Sequence, residues 1–145
     1  MIRKFLLAIC AAALLIAGCG ENSEAQEAKT LNTITISIGD KTFTATLEDN
    51  PSARAFAETF PLEIEMNELN GNEKYFYLDK NLPSDSKRVG EIHSGDLMLF
   101  GSNCVVIFYK DFSTSYSYTR LGKIEDASEL EKILGAGNVK VKFKE

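Results

Sequence analysis

Apolar residues recur at every second position along most of this chain, and that period constrains its fold more than any other feature. Ile34, Ile36 and Ile38 alternate with Thr33, Thr35 and Ser37, and after Gly39-Asp40 the alternation resumes at Phe43, Ala45 and Leu47. Two such runs around a two-residue turn predict a hairpin. Leu62, Ile64 and Met66 alternate with Glu63 and Glu65, Asn70-Gly71 turns the chain, and KYFYL at residues 74–78 predicts a fourth strand. Residues 96–100 and 104–109 predict two more strands around Gly101, Ser102 and Asn103. The unbroken apolar run VVIFY in the second of these implies burial on both faces. A seventh strand is expected over residues 116–123, and Val139, Val141 and Phe143 alternate with lysines as an eighth.

Only two segments carry helical spacing. Asn50 is placed to cap a helix that begins at Pro51, shows Ala53, Phe56, Ala57 and Phe60 on one face, and stops at Pro61. Asp126 and Glu129 have the spacing of a capping box ahead of Leu130, Ile133 and Leu134, with Gly135 at the C-terminal end. Between strands, residues 79–94 hold Pro83 and Gly90 and predict a long loop, one candidate wall of a site. Eight short strands with two helices bury their apolar faces and their edges together if the sheet closes into a barrel and each helix plugs one end. The expected class is therefore mainly β, with a core that includes Ile36, Phe43, Phe56, Ile64, Leu97, Val106, Ile107, Leu121, Ile133 and Val141.

The N-terminal region does not follow this pattern. Arg3 and Lys4 precede thirteen apolar residues, 5–17, too few to span a bilayer, where about eighteen are needed. Residues 1–18 read as an export signal. Ile16-Ala17-Gly18-Cys19 has the pattern of a bacterial lipobox, with small residues before a Cys that accepts lipid. Acyl chains on Cys19 imply firm attachment to a membrane, because each buried CH2 contributes about 0.8 kcal/mol. GENSEAQEAK at residues 20–29 is polar and lacks aromatic and β-branched residues, so it reads as a tether. That leaves residues 30–145 as one domain, with Cys104 as its only cysteine and no internal disulfide. Sixteen basic residues stand against twenty-one acidic ones, a formal charge of -5. Loss of Arg3 and Lys4 with the signal makes the remainder more acidic still, and such a balance argues against a nucleic-acid partner. The expected location is the bacterial cell envelope, on the periplasmic side or at the outer membrane, and the expected state is a monomer.

Local wording adds a family resemblance. HSGDLMLF at residues 93–100 resembles the cyclophilin segment with Gln-Gly-Gly-Asp, and GSNCVVIFYK at 101–110 resembles its Gly-Ser-Gln-Phe-Phe-Ile strand. YTRLGKIEDASELEKIL at 118–134 resembles its Phe-Gly-Lys-Val strand and final helix. The chain is similar to the small bacterial cyclophilin-like domains of undefined role, which share the HxGD and YSYTRxG wording. The resemblance spans Leu31 to Phe143 and implies a closed eight-stranded barrel with two capping helices.

Carried over by residue, the resemblance sets Gly95 and Asp96 on the family's Gly-Asp and His93 on the Gln that bonds substrate backbone. Anchoring on Leu82-Pro83 sets Lys80 at the family's catalytic Arg, while Arg88 is the nearest guanidinium in sequence. Lysine is a point charge and lacks the planar fork of arginine. The Phe-Phe-Ile position reads Cys104-Val105-Val106, and the chain has no Trp. Lys80, Arg88 and His93 are thus the catalytic candidates if the domain is a peptidyl-prolyl isomerase of envelope proteins. The first reading is a binding module: Tyr77, His93, Phe112 and Tyr116 line a groove for a peptide or small molecule, with Tyr75 and Tyr118 nearby. Arg120 is either a charged groove residue or a snorkelling barrel residue. No second His or Cys stands at ligand spacing from His93, so no metal is expected, nor any cofactor.

Overall fold

The computed structural model describes residues 32–145; the signal segment, Cys19 and the tether lie outside the described residues. The chain opens with β1 (Thr33–Ile38) and β2 (Lys41–Leu47), joined through Gly39, whose φ of 61° suits glycine. Helix α1 (Pro51–Ala57) follows, and Asn50 Oδ1 accepts from the Ala53 N–H at 2.8 Å as the expected N-cap. The helix stops three residues earlier than its spacing suggests. Thr59 and Phe60 donate to the carbonyls of Phe56 and Ala57, so the final turn tightens before Pro61.

Strands β3 (Leu62–Leu69) and β4 (Glu73–Tyr77) form the second hairpin, and β7 (Asp96–Phe100) with β8 (Cys104–Phe108) the third. Then come β10 (Ser117–Ile124), α2 (Leu130–Leu134) and β11 (Val139–Lys144). The sheet runs β2-β1-β11-β3-β4-β8-β7-β10, every pair antiparallel, and β10 pairs with β2 to close it. This is the eight-stranded barrel expected from the alternation. Registry sets α1 at the rim where β2 ends and β3 begins, and α2 at the opposite rim. Ala53 and Phe56 of α1, and Leu130 and Leu134 of α2, join the buried interior. Phe56, Phe60 and Phe143 pack there with ring centroids 4.9 to 5.9 Å apart.

Two sequence expectations need correction. The segment 79–94 is not a free loop: it contains β5 (Lys87–Arg88), paired with β10, and β6 (Glu91–Ile92), paired with β9 (Phe112–Ser113). Asp126 does not cap α2 and Glu129 makes no side-chain cap bond; Asp126 Oδ1 instead accepts from the Ser128 N–H at 3.1 Å and its hydroxyl at 2.7 Å, forming a local turn. These bonds hold the exposed Asp126 carboxyl below its ordinary pKa.

The core is also divided. Ile36, Phe56, Ile64, Leu97, Ile107, Leu121 and Val141 fill the barrel, with Phe43 and Ile133 half-buried at its margin. Val106 is buried elsewhere, with Ile92, Met98, Cys104, Phe108 and Tyr118 on the outer face of β7, β8 and β10. The β6–β9 ribbon contributes Ile92 and Phe112 to that layer. Double-sided burial of the VVIFY run is thus explained: one face packs inside the barrel and the other beneath an external covering.

Candidate functional site

The external covering is incomplete, and its gap is a cleft of about 540 Å3. Cross-strand partners share a face, so the outer row of β4, Glu73, Tyr75 and Tyr77, stands beside Phe108, Val106 and Cys104 of β8. Phe100 continues the surface from β7, opposite Cys104. The opposite wall is the 112–116 segment together with Tyr118. Tyr75 and Tyr77 rings meet edge-on at 5.8 Å, and Phe100 lies 6.2 Å from Tyr116 and 5.7 Å from Tyr118.

Four large hydrophobic side chains stand exposed among the described residues: Leu69, Tyr77 at 59%, Phe100, and Tyr116 at 64%. All four line this cleft. Isolated exposed apolar groups are ordinary, whereas these four converge on one concavity.

The charge in the cleft is acidic. Its lining contains neither Lys nor Arg, and its one carboxylate is Glu73. Burial, and secondarily the charge of Glu68, raises the Glu73 pKa from 4.5 to about 6. Folding therefore favours the protonated form, and this group's contribution to stability declines as the pH rises from about 4.5 through about 6. Burial, followed by the charge of Glu73, pushes the Cys104 thiol up to about 11, so it is protonated at neutral pH and is no nucleophile. The Tyr118 hydroxyl is pushed up to about 12, again chiefly by burial. Among the described residues no group of three or more His, Cys, Asp or Glu is arranged to hold a metal.

Of the residues singled out from sequence, Tyr77, Phe112 and Tyr116 come together here, with Tyr75 and Tyr118. His93, Lys80, Arg88 and Arg120 lie outside this lining. His93 is exposed, and its main chain serves the turn before β7: its N–H donates to Asp96 Oδ2 at 2.8 Å, and its carbonyl accepts from Asp96 N at 3.0 Å. Gly95 completes that turn at φ 95°, where a Cβ would come within 3.0 Å of Ala127 Cβ. The His-Ser-Gly-Asp sequence thus forms a structural turn with a buried Asp96. Arg88 and Arg120 instead border a second cleft of about 460 Å3 that carries charges of both signs, with Asp85, Lys87 and Glu48. Lys80 is exposed and borders neither cleft. Glu73 and Phe100 escaped the sequence reading. The available signal for Glu73 was its parity with Tyr75 and Tyr77, which puts all three on one face of a strand.

Comparison with solved structures gives the same architecture. The solution structure of a hypothetical protein from Archaeoglobus fulgidus superposes with a TM-score of 0.54 at 17% identity, covering 77% of this chain and 92% of that one. At that identity the likeness concerns the fold alone. No curated protein matches the chain. The sequence model of the cyclophilin-like family, however, matches residues 36–144, three-quarters of the chain and all but a few residues of the barrel. The closed barrel, the two helices at its rims and this match agree, and the chain belongs to the cyclophilin-like family.

Proposed function

We propose that this protein is a lipid-anchored binding module of the bacterial cell envelope, whose cyclophilin-like barrel holds a peptide or small organic ligand in the cleft between β4, β8 and the 112–116 segment. The observation that carries the reading is the convergence of Leu69, Tyr77, Phe100 and Tyr116, all exposed, on one concavity of ligand size. An isomerase requires a donor directed at the prolyl amide. The lining offers Tyr and Ser/Thr hydroxyls but no guanidinium or ammonium, which supports binding over catalysis.

The test is an NMR titration of the intact protein, in a non-ionic detergent, with a pool of short peptides and metabolites. Shifts concentrated at Tyr77, Phe112 and Tyr116 are expected. Shifts confined to the charged cleft of Arg88 and Arg120 would overturn the choice of site. In parallel, prolyl isomerisation in a short peptide, which takes tens to hundreds of seconds uncatalysed, should proceed at the same rate with and without protein. Clear acceleration, abolished by Lys80→Ala or Arg88→Ala, would install the isomerase instead.

Anchoring rests on the Ile16-Ala17-Gly18-Cys19 pattern and the polar tether after it. Cys19→Ser should abolish palmitate labelling and move the protein from the membrane fraction to the soluble one. A Cys19→Ser protein that still sediments with membranes sinks the lipoprotein reading.

A further inference from the structure

Given that the cleft is a binding site, its charge pattern specifies the class of ligand. We infer that it takes a small organic cation, an ammonium group on an apolar body, with Glu73 as the counter-charge and the tyrosine rings as its walls. Six aromatic side chains, Tyr75, Tyr77, Phe100, Phe112, Tyr116 and Tyr118, line the cleft together with one carboxylate. Aromatic faces carry negative potential and attract a cation that comes within about 6 Å of the ring centre. A carboxylate at the end of such a wall adds a point charge of the same sign.

Glu73 is available for that role. None of the ion pairs among the described residues includes it. Lys74, the adjacent cation, lies on the opposite face of β4, where Glu68 and the Gly137 carbonyl engage it. Asn72 also lines the cleft, but its side-chain oxygen is shielded from water and turns away from a ligand's reach, so Glu73 is the acceptor there. A neutral apolar ligand would desolvate Glu73 further and leave it uncompensated. An anion would be repelled by Glu73 and by Glu68 behind it. A cation turns the half-buried carboxylate into the strongest attraction, since a charge-assisted hydrogen bond is roughly twice as strong as a neutral one. The volume of about 540 Å3 suits a small molecule, and the acidity of the whole chain, -5, draws cations towards it.

The experiment compares 2-phenylethylammonium, 2-phenylethanol and 3-phenylpropanoate, which share an aromatic body and differ in charge, by NMR titration of the intact protein in a non-ionic detergent at neutral pH. The cation should bind about tenfold more tightly than the alcohol, with shifts at Tyr77, Phe112 and Tyr116, and the carboxylate least. Glu73→Gln, nearly isosteric, should bring the cation down to the alcohol's affinity and leave the alcohol unchanged. If that variant fails to fold, Tyr116→Leu, at an exposed position, should weaken the cation more than the alcohol. Equal binding of cation and alcohol by the native protein overturns the inference while leaving the cleft a binding site. Absence of cleft shifts with every probe overturns both readings. A capped lysine tripeptide serves as a fourth probe, and shifts produced by it alone would transfer the site from small molecules to peptides, against the inference.

Discussion

Lys74→Ala should destabilise the protein by about 2 to 5 kcal/mol, the range for truncating a large buried side chain to alanine. The Lys74 side chain is 0% exposed on the inner face of β4. Its ammonium donates to the Gly137 carbonyl, lies 3.5 Å from Glu68 Oε1, and sits 5.5 Å from the centre of the Tyr109 ring. The Tyr109 hydroxyl donates to the same Glu68 carboxylate. Burial, then the hydrogen bond to Glu68, holds the Tyr109 pKa well above the usual phenol range, so that hydroxyl remains a donor. Alanine removes the cation from this triad, leaves the Gly137 carbonyl without its donor, and opens a cavity under the α2 rim. Lys74→Met keeps most of the volume and should cost less, and a Lys74→Met, Glu68→Gln double variant should recover part of the remainder. Urea unfolding of the three variants checks the order. A loss below about 1 kcal/mol for Lys74→Ala would show that the cluster contributes no more than a surface ion pair.

The barrel was legible because period-two alternation survives in β1, β2, β3 and β11: Ile34, Ile36 and Ile38 are all buried inside it, as are Val141 and Phe143. Two-residue pairings such as Glu91–Ile92 with Phe112–Ser113 were not legible, since two residues show no period and their pairing is imposed by the layer they cover. Asp126 illustrates another limit. Its oxygen can satisfy a helix N-terminus or a local turn with the same chemistry, and only the chain's path selects the turn with Ser128. Val106 was recognisable as buried, but a strand apolar on both faces does not reveal which face looks into the barrel.

The cleft was legible by half. Tyr77, Phe112 and Tyr116 were visible as aromatics of one strand and of the segment before β10, yet nothing in the sequence singled out Glu73. Its placement depends on the pairing of Glu73 with Phe108 across β4 and β8, a non-local register that no local pattern encodes. His93 and Lys80 were suggested by loop alignment, and loops vary in path more than strands do. The exposed His93 consequently stands at a turn whose buried member is Asp96.

Gly122→Ala should cost about 2 to 3 kcal/mol, as overpacking in a tight interior does. Gly122 lies where β10 meets β2 and closes the barrel, paired with Leu47 on one side and Leu97 on the other, immediately after a register shift in the β7 pairing. A Cβ there would come within 2.5 Å of the Thr46 carbonyl oxygen and 3.1 Å of Leu47 Cα. Both obstacles are backbone, so no side chain can rotate aside and the two strands must separate. Separation weakens the ladder at the seam and displaces β10, which carries Tyr118 into the aromatic cleft. The variant should therefore lose stability and cation affinity together. Gly101→Ala is the control: its φ of 62° is unfavourable for alanine but nothing lies within 4 Å of the added Cβ, so a cost of about 1 kcal/mol is expected there from backbone conformation alone. Urea unfolding ranks the pair. If Gly101→Ala proves the more damaging, closure at the β10–β2 seam does not depend on the close approach at Gly122.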